Sequence, residues 1–142
     1  MPAPMKDLIW DNTLSVDVPE IDADHRKLVD LFNLLNHAVA EGEAKAYVEA
    51  VMDELVSCTV WHFRHEERLM LKYGYEGFAE HRSEHEALID SAKLLQQQFL
   101  QQGESNAASA ISSAEIEHLE HWLTGHIYGA DMDLGAYLCQ AM

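Results

Sequence analysis

The sequence is poor in basic residues and has few cysteines. Lysine and arginine total 9 against 25 aspartates and glutamates, so the formal net charge is -16 over 142 residues. A polyanionic surface repels both nucleic acids and anionic lipids, so we expect neither as a partner. Only Cys58 and Cys139 are present, and they do not form a CxxC pair. We therefore expect two reduced thiols rather than a disulfide framework.

Long apolar runs are also missing. No segment approaches the roughly 20 apolar residues of a membrane span, and the start, MPAPMKDLIW, has no apolar run behind a basic segment. We expect a cytoplasmic protein without a membrane partner, and we expect a monomer. With 48% hydrophobic residues, the chain can bury the core of one domain spanning residues 1–142.

Helical periodicity dominates the chain after residue 19. All three prolines lie at or before that position, and we expect residues 1–19 to form an extended arm anchored by Trp10. Apolar positions then recur every three or four residues over 20–42, 48–73, 78–99 and 116–126. The pattern predicts an all-α, up-and-down four-helix bundle over about 20–130, with a short C-terminal helical segment at about 131–142. Gly74 is the expected breaker after the second helix.

Histidine is the compositional anomaly, with nine residues in the chain. Six polar residues replace apolar ones on the inner faces of the four predicted helices: His25, His62, Glu66, His81, His85 and His126. One buried histidine is more often a hydrogen-bonded core residue than a metal ligand. Burying five imidazoles with a carboxylate is costly without compensating charge, and bound metal removes that cost. The set as a whole therefore predicts a metal site.

The stretch WHFRHEERLM, residues 61–70, contains four polar candidates. At about 100° per residue, His62 and Glu66 lie within about 30° of the apolar line of the second helix. His65 falls about 90° to one side and Glu67 about 110° to the other. We expect the first two to point inward, and the other two to lie at the margin or in solvent without a role at the site. His65→Ala should then leave metal binding unchanged.

Asp131 follows His126 by five residues in HIYGAD. In an ideal α-helix the two side chains diverge by about 140°, so convergence requires a helix end or a local distortion between them. Gly129 would allow either. The spacing alone leaves two alternatives: a further ligand, or a solvated aspartate at a fraying helix end.

The spacing of these residues resembles that of the hemerythrin family, specifically its single-domain bacterial members. The resemblance covers residues 10–138 and includes VDVPEIDADHRKL, HFRHEERLM and WLTGHIYGAD. It implies a centre of two iron ions with an oxo or hydroxo bridge. The implied ligands are His81, His85 and His126 on one iron, His25 and His62 on the other, and Glu66 and Asp131 as bridges.

The resemblance also implies a function, which is reversible binding of dioxygen for storage, delivery or scavenging rather than enzyme catalysis. With this ligand set the three-histidine iron has six ligands and the two-histidine iron has five, so dioxygen would bind at the latter. The residues Phe63, Trp122, Leu123 and Ile127 flank ligand positions and resemble the apolar pocket wall of the family. Plain core packing would give the same sequence pattern.

Two alternative functions stay open at this point. One is a di-iron redox enzyme acting on peroxide or nitrogen oxides, and the other is an oxygen or redox sensor with a separate partner. A buried pocket without an additional acid or base argues mildly against the enzyme. Glu115 and His118 form one ExxH element, which ferritin-like bundles use in pairs, and no second copy is present. We expect His37, His118 and His121 to lie at the surface.

Overall fold

The computed structural model describes residues 14–101 and 113–142, and in these ranges it is helical and contains no strand. The elements are α1 (Pro19–Ala40), α2 (Lys45–Lys72), α3 (Phe78–Gln101), α4 (Ser113–His126), a π-helical turn (Ile127–Asp131) and α5 (Met132–Ala141). The predicted four-helix bundle is confirmed. The expected anchor Trp10 and most of the connection before α4 lie outside the described residues. Within them, no helix has both the length and the apolar character needed to cross a bilayer.

The helix ends follow from local sequence. Helix α1 begins at Pro19, one residue before the predicted start, because the fixed φ of proline suits the first helical position. Helix α2 ends at Lys72, and Gly74 then adopts a φ of 66°. This left-handed conformation favours glycine and ends the helix, as predicted.

The described part of the arm packs against the first turn of α1 and against α5. Asp22 accepts hydrogen bonds from the Ser15 hydroxyl (2.6 Å) and the Val16 amide (2.9 Å), which ties the arm to the first turn of α1. On the other side, Gly135 of α5 lies so close to Val16 that a Cβ at this glycine would overlap the Val16 carbonyl oxygen. The Tyr137 hydroxyl donates to the Tyr73 carbonyl (2.6 Å). Helix α5 therefore bridges the arm and the turn between α2 and α3.

Two apolar clusters occupy opposite ends of the bundle. The distal cluster consists of Phe32, Leu35, Ala38, Val39, Val48, Val51, Met52 and Phe99. The arm cluster consists of Leu14, Val16, Val18, Ile21, Leu69, Met70, Ile127, Leu134 and Leu138. Along α1 and α2, the buried residues His25 and His62 lie between these clusters. The polar candidates are therefore held in a layer with apolar packing on either side.

Candidate metal centre

The structure gathers all seven predicted ligands into one buried cluster between the helices. Each has at most 4% of its surface exposed: His25, His62, Glu66, His81, His85, His126 and Asp131. The donor atoms form two groups, each within 4.8 Å, and both groups contain Glu66 and Asp131. The three-histidine half adds His81, His85 and His126, and the two-histidine half adds His25 and His62.

Glu66 turns one carboxylate oxygen toward each half. Its Oε1 lies 2.9 Å from His85 Nε2 and 3.3 Å from His81 Nε2. Its Oε2 lies 3.2 Å from His62 Nε2 and 3.6 Å from His25 Nε2. A carboxylate with this orientation is able to bridge two metal ions.

Asp131 is arranged in the same way. Its Oδ1 lies 3.0 Å from the Nε2 atoms of both His81 and His126, whereas its Oδ2 lies 2.9 Å from His25 Nε2. The two carboxylates are therefore shared by both halves of the cluster.

The π-helical turn explains how Asp131 reaches the cluster from the same segment as His126. A π-turn closes i→i+5 hydrogen bonds and adds a residue to the turn, so positions five apart return to one side of the backbone. The predicted distortion between the two residues is confirmed. Gly129 is not sterically required there, because a Cβ at this position would meet no atom within 4 Å.

Many of the inward-facing atoms have no hydrogen-bond partner. Among the described residues, nine buried side-chain nitrogen and oxygen atoms lack one, and all nine belong to this cluster: both nitrogens of His25 and His81, Nε2 of His62 and His126, Oε2 of Glu66, and both carboxylate oxygens of Asp131. Buried polar atoms are normally paired, so this concentration indicates a ligand. Imidazole and carboxylate donors together suit iron, and seven side chains exceed what one octahedral ion can use. The residues fit a pair of metal ions.

The pKa shifts within the cluster show that its two buried carboxylates require nearby positive charge. Burial raises the pKa of Glu66, but the charge of the nearby His62 and the close approach of further histidines outweigh burial and hold this pKa well below its usual range. Burial lowers the pKa of His62, yet the negative charge of Glu66 and a hydrogen bond to Asp24 raise it to about 10. The pKa of His81 is raised to about 9, against the effect of burial, by Asp131 and Glu66. Without metal cations, protonated histidines therefore balance the two carboxylates.

His65 is buried, contrary to the expectation that it lies at the margin or in solvent, whereas its expected lack of a role at the site stays a prediction. Its side chain is largely buried, and its Nδ1 lies 2.5 Å from Asp24 Oδ2. The same oxygen of Asp24 lies 2.9 Å from His62 Nδ1. Burial raises the pKa of Asp24, but the hydrogen bonds from both histidines hold it below its usual value. His65 is thus connected to a candidate ligand through Asp24.

The expected position of Glu67 at the margin or in solvent is also wrong, and its expected lack of a role at the site stays a prediction. Glu67 is buried, its Oε2 lies 2.9 Å from His85 Nδ1, and its Oε1 accepts a hydrogen bond from Arg64 (2.9 Å). Glu84, which the sequence did not single out, lies 2.6 Å from His126 Nδ1. Asp24, Glu67 and Glu84 each support one histidine, and the sequence reasoning missed all three. A helical wheel locates only the core stripe of one helix, whereas neighbouring helices also cover the flanks of that stripe.

An apolar cavity of about 70 Å³ extends from the cluster toward the distal cluster. Its lining includes Leu28, Leu88 and Leu123, each one turn from a candidate ligand on its own helix, and His126 itself. Thr59 is a further polar side chain of the lining, and its hydroxyl already donates to the Leu55 carbonyl (2.7 Å). The cavity is large enough for a diatomic molecule and offers little to hold water.

Three of the four residues predicted for the pocket wall line this cavity, namely Phe63, Trp122 and Leu123. Ile127 is fully buried but packs in the arm cluster. Phe63 also stacks on His85, with ring centroids 3.9 Å apart. His37, His118 and His121 are exposed, as predicted.

Comparison with known proteins identifies the family. The profile of the hemerythrin HHE cation binding domain matches residues 16–138. The chain belongs to the hemerythrin family. A bacteriohemerythrin from Stenotrophomonas maltophilia is 35% identical over 124 residues, covering 87% of this chain and 76% of that protein. A bacteriohemerythrin from Pseudomonas paraeruginosa is 32% identical over 127 residues, covering 89% and 78%.

Solved hemerythrin structures share the fold. A crystal structure of a wild-type hemerythrin superposes with a TM-score of 0.81 at 29% identity, covering 92% of this chain and 97% of that one. The hemerythrin fold thus extends over nearly the whole chain.

Proposed function

We propose that this protein binds dioxygen reversibly at a carboxylate-bridged di-iron centre, for oxygen storage, delivery or scavenging. The observation that carries the proposal is the pair of buried carboxylates, Glu66 and Asp131, each of which turns one oxygen toward each half of the cluster. When bound, an iron pair would supply the electrons on which reversible dioxygen binding depends. The remaining chemistry belongs to the side chains of this chain.

The proposed division of ligands follows the two groups of donor atoms. His81, His85 and His126 would hold one iron and His25 and His62 the other, and the carboxylates of Glu66 and Asp131 would serve both. Two buried carboxylates leave a need for positive charge that a pair of iron ions would meet.

The cavity wall would keep water and protons away from the centre. Phe63, Trp122 and Leu123 present apolar surface beside His126, and reversible binding requires a dry site because entry of protons favours irreversible oxidation. Phe63 also supports His85 by stacking. The same side chain would therefore shape the pocket and hold a ligand in place.

The deciding experiment is stopped-flow mixing of the reduced, iron-loaded protein with dioxygen, followed by removal of oxygen under argon. We expect about two irons per chain by elemental analysis and an optical change that reverses on deoxygenation. The zinc-loaded protein is the control, because zinc has no accessible redox change. A chain that takes up one zinc and no iron would contradict the proposal.

A redox enzyme acting on peroxide or nitrogen oxides is the alternative. Within the described ranges, His126 is the one titratable side chain that lines the cavity, and we propose that it is a metal ligand, so it is not free for acid–base catalysis. This favours the carrier. Repeated consumption of peroxide or nitrite with a reductant, without a reversible oxygenated state, would favour the enzyme.

We further propose that the protein acts in the cytoplasm as a monomer of one domain. Two cysteines are too few for a disulfide framework, a composition typical of proteins from a reducing compartment. Sedimentation analysis of the iron-loaded protein would test the monomer, and a concentration-dependent increase in mass would contradict it.

A further inference from the structure

The five candidate histidines differ in the support they receive on the side away from the cluster. The Nδ1 atoms of His62, His85 and His126 each face a carboxylate, that of Asp24, Glu67 and Glu84 respectively. The Nδ1 atoms of His25 and His81 are buried and have no hydrogen-bond partner among the described residues. The two-histidine half therefore has one supported ligand, whereas the three-histidine half has two.

Asp24 is itself held in place from the solvent side. Its Oδ2 lies 2.9 Å from His62 Nδ1 and 2.5 Å from His65 Nδ1. The other nitrogen of His65, Nε2, lies 3.2 Å from the exposed residue Glu20. The ring of Trp61 packs against His65 with centroids 5.4 Å apart. Glu20, His65 and Asp24 thus form a continuous chain of contacts that ends at His62.

We propose that Asp24, braced by His65, is the positioning residue of the two-histidine half. This inference rests on the proposed di-iron centre. By accepting a hydrogen bond from Nδ1–H, Asp24 fixes the tautomer of His62 and leaves the lone pair of Nε2 directed into the cluster. Loss of Asp24 weakens metal binding in the two-histidine half and leaves metal binding in the three-histidine half unchanged.

The selectivity follows from the unequal support. His25 is the other histidine of the two-histidine half and has no hydrogen-bond partner at Nδ1 among the described residues, so no second supported imidazole compensates when His62 becomes free to rotate. In the three-histidine half, Glu67 and Glu84 each hold one ligand. That half keeps a supported histidine whichever of the two carboxylates is lost.

The test is a titration of Co²⁺ into the metal-free full chain, with Asp24→Asn and Asp24→Ala compared with wild type. Wild type should bind two ions. In Asp24→Ala one ion should bind as in wild type and the other about 10- to 100-fold more weakly, the range typical for loss of an outer hydrogen-bond partner of a metal-bound histidine. Asp24→Asn should lose less affinity, because the amide oxygen still accepts a hydrogen bond from His62 Nδ1–H. Asp22→Asn is the matched control, because Asp22 lies on the same helix and holds the arm rather than a histidine. It should bind both ions as wild type does.

A second readout uses the wild-type protein, so it holds even if a variant fails to fold. In the Zn²⁺-loaded chain with ¹⁵N-labelled histidine, the Nδ1–H signal of His62 should be present and should exchange slowly with solvent. A His62 that carries its proton on Nε2, or equal affinity for both ions in Asp24→Ala and wild type, would overturn the inference and leave the proposed function standing. A wild-type chain that binds only one ion would overturn both.

Discussion

The two halves of the centre share their carboxylates but are built in different ways. In the three-histidine half, His81 and His85 are four residues apart on α3, so helical geometry alone places them side by side. In the two-histidine half, His25 comes from α1 and His62 from α2, and only the packing of these helices brings them together. The first half therefore contains one pair of histidines determined by local structure, whereas the two histidines of the second half meet only through tertiary contacts.

The halves also differ in how the supporting carboxylates are neutralised. Glu67 is paired with the guanidinium of Arg64, which also contacts Glu86 (2.8 Å). Asp24 instead faces two imidazoles, those of His62 and His65. A guanidinium carries a permanent charge, whereas an imidazole is charged only when it is protonated. We therefore expect the two-histidine half to be the more easily perturbed.

The largest effect should come from the residues common to both halves. Glu66→Gln removes the charge of one carboxylate shared by the two halves and places an amide nitrogen toward one half. We expect the affinity for both metal ions to fall by more than about 100-fold, a larger loss than removal of an outer partner causes. Metal analysis after gel filtration measures this, with the exposed His118→Gln as the control. Retention of two ions would show that Glu66 is not shared.

Loss of a single candidate ligand should affect metal binding in one half and not in the other. His62→Ala removes one of two histidines from the two-histidine half, so we expect about one ion per chain and no reversible dioxygen binding. His118→Ala serves again as the control, since this histidine is exposed. If His62→Ala instead loses both ions, the halves do not load independently and the comparison between them fails.

A supporting carboxylate of the three-histidine half should matter less. Glu67→Gln weakens the hydrogen bond at His85 Nδ1, but His126 keeps its contact with Glu84. We expect metal affinity in this half to fall by about tenfold, the lower end of the range for such partners. Competition with a chelator would measure the change. A loss confined to the two-histidine half would contradict the assignment of Glu67.

The cavity wall should affect the lifetime of the oxygenated protein without changing its metal content. Leu123→Ala enlarges the cavity beside His126, and we expect autoxidation to accelerate about tenfold if the barrier falls by about 1.4 kcal/mol. Optical decay in air measures the rate. Leu94→Ala is a matched control, because Leu94 is exposed. Unchanged decay in Leu123→Ala would show that this side chain does not protect the centre.

The smallest expected effect is a pH dependence of the thermal stability of the metal-free protein. The pKa values of His62 and His81 are raised from 6.5 to about 10 and about 9. A histidine whose pKa is raised on folding stabilises the folded state fully at a pH below its ordinary pKa. This stabilisation is lost as the pH rises through the raised pKa. The Tm of the metal-free protein should therefore fall between about pH 7 and about pH 10, more than that of the metal-loaded protein. An equal fall in Tm for the metal-free and the metal-loaded protein would contradict this prediction.

Much of the fold was predictable because helical periodicity is a local property. The stripe of α2 placed His62 and Glu66 inward, and the structure buries both. The spacing of His126 and Asp131 indicated that convergence needs a helix end or a distortion, and the structure has a π-helical turn there. The close approach that does require glycine, at Gly135, joins segments far apart in the chain.

By itself, the sequence determined which residues lie on the inner helix faces, because each apolar stripe records the burial of its own helix. It also placed more imidazoles and carboxylates on these inner faces than an apolar core can bury without compensating charge. Only the tertiary structure decided that Asp24, Glu67 and Glu84 support His62, His85 and His126, and that His65 is part of this network. These contacts join positions 18 to 42 residues apart. The pattern of one helix carries no information about which flank its neighbours cover.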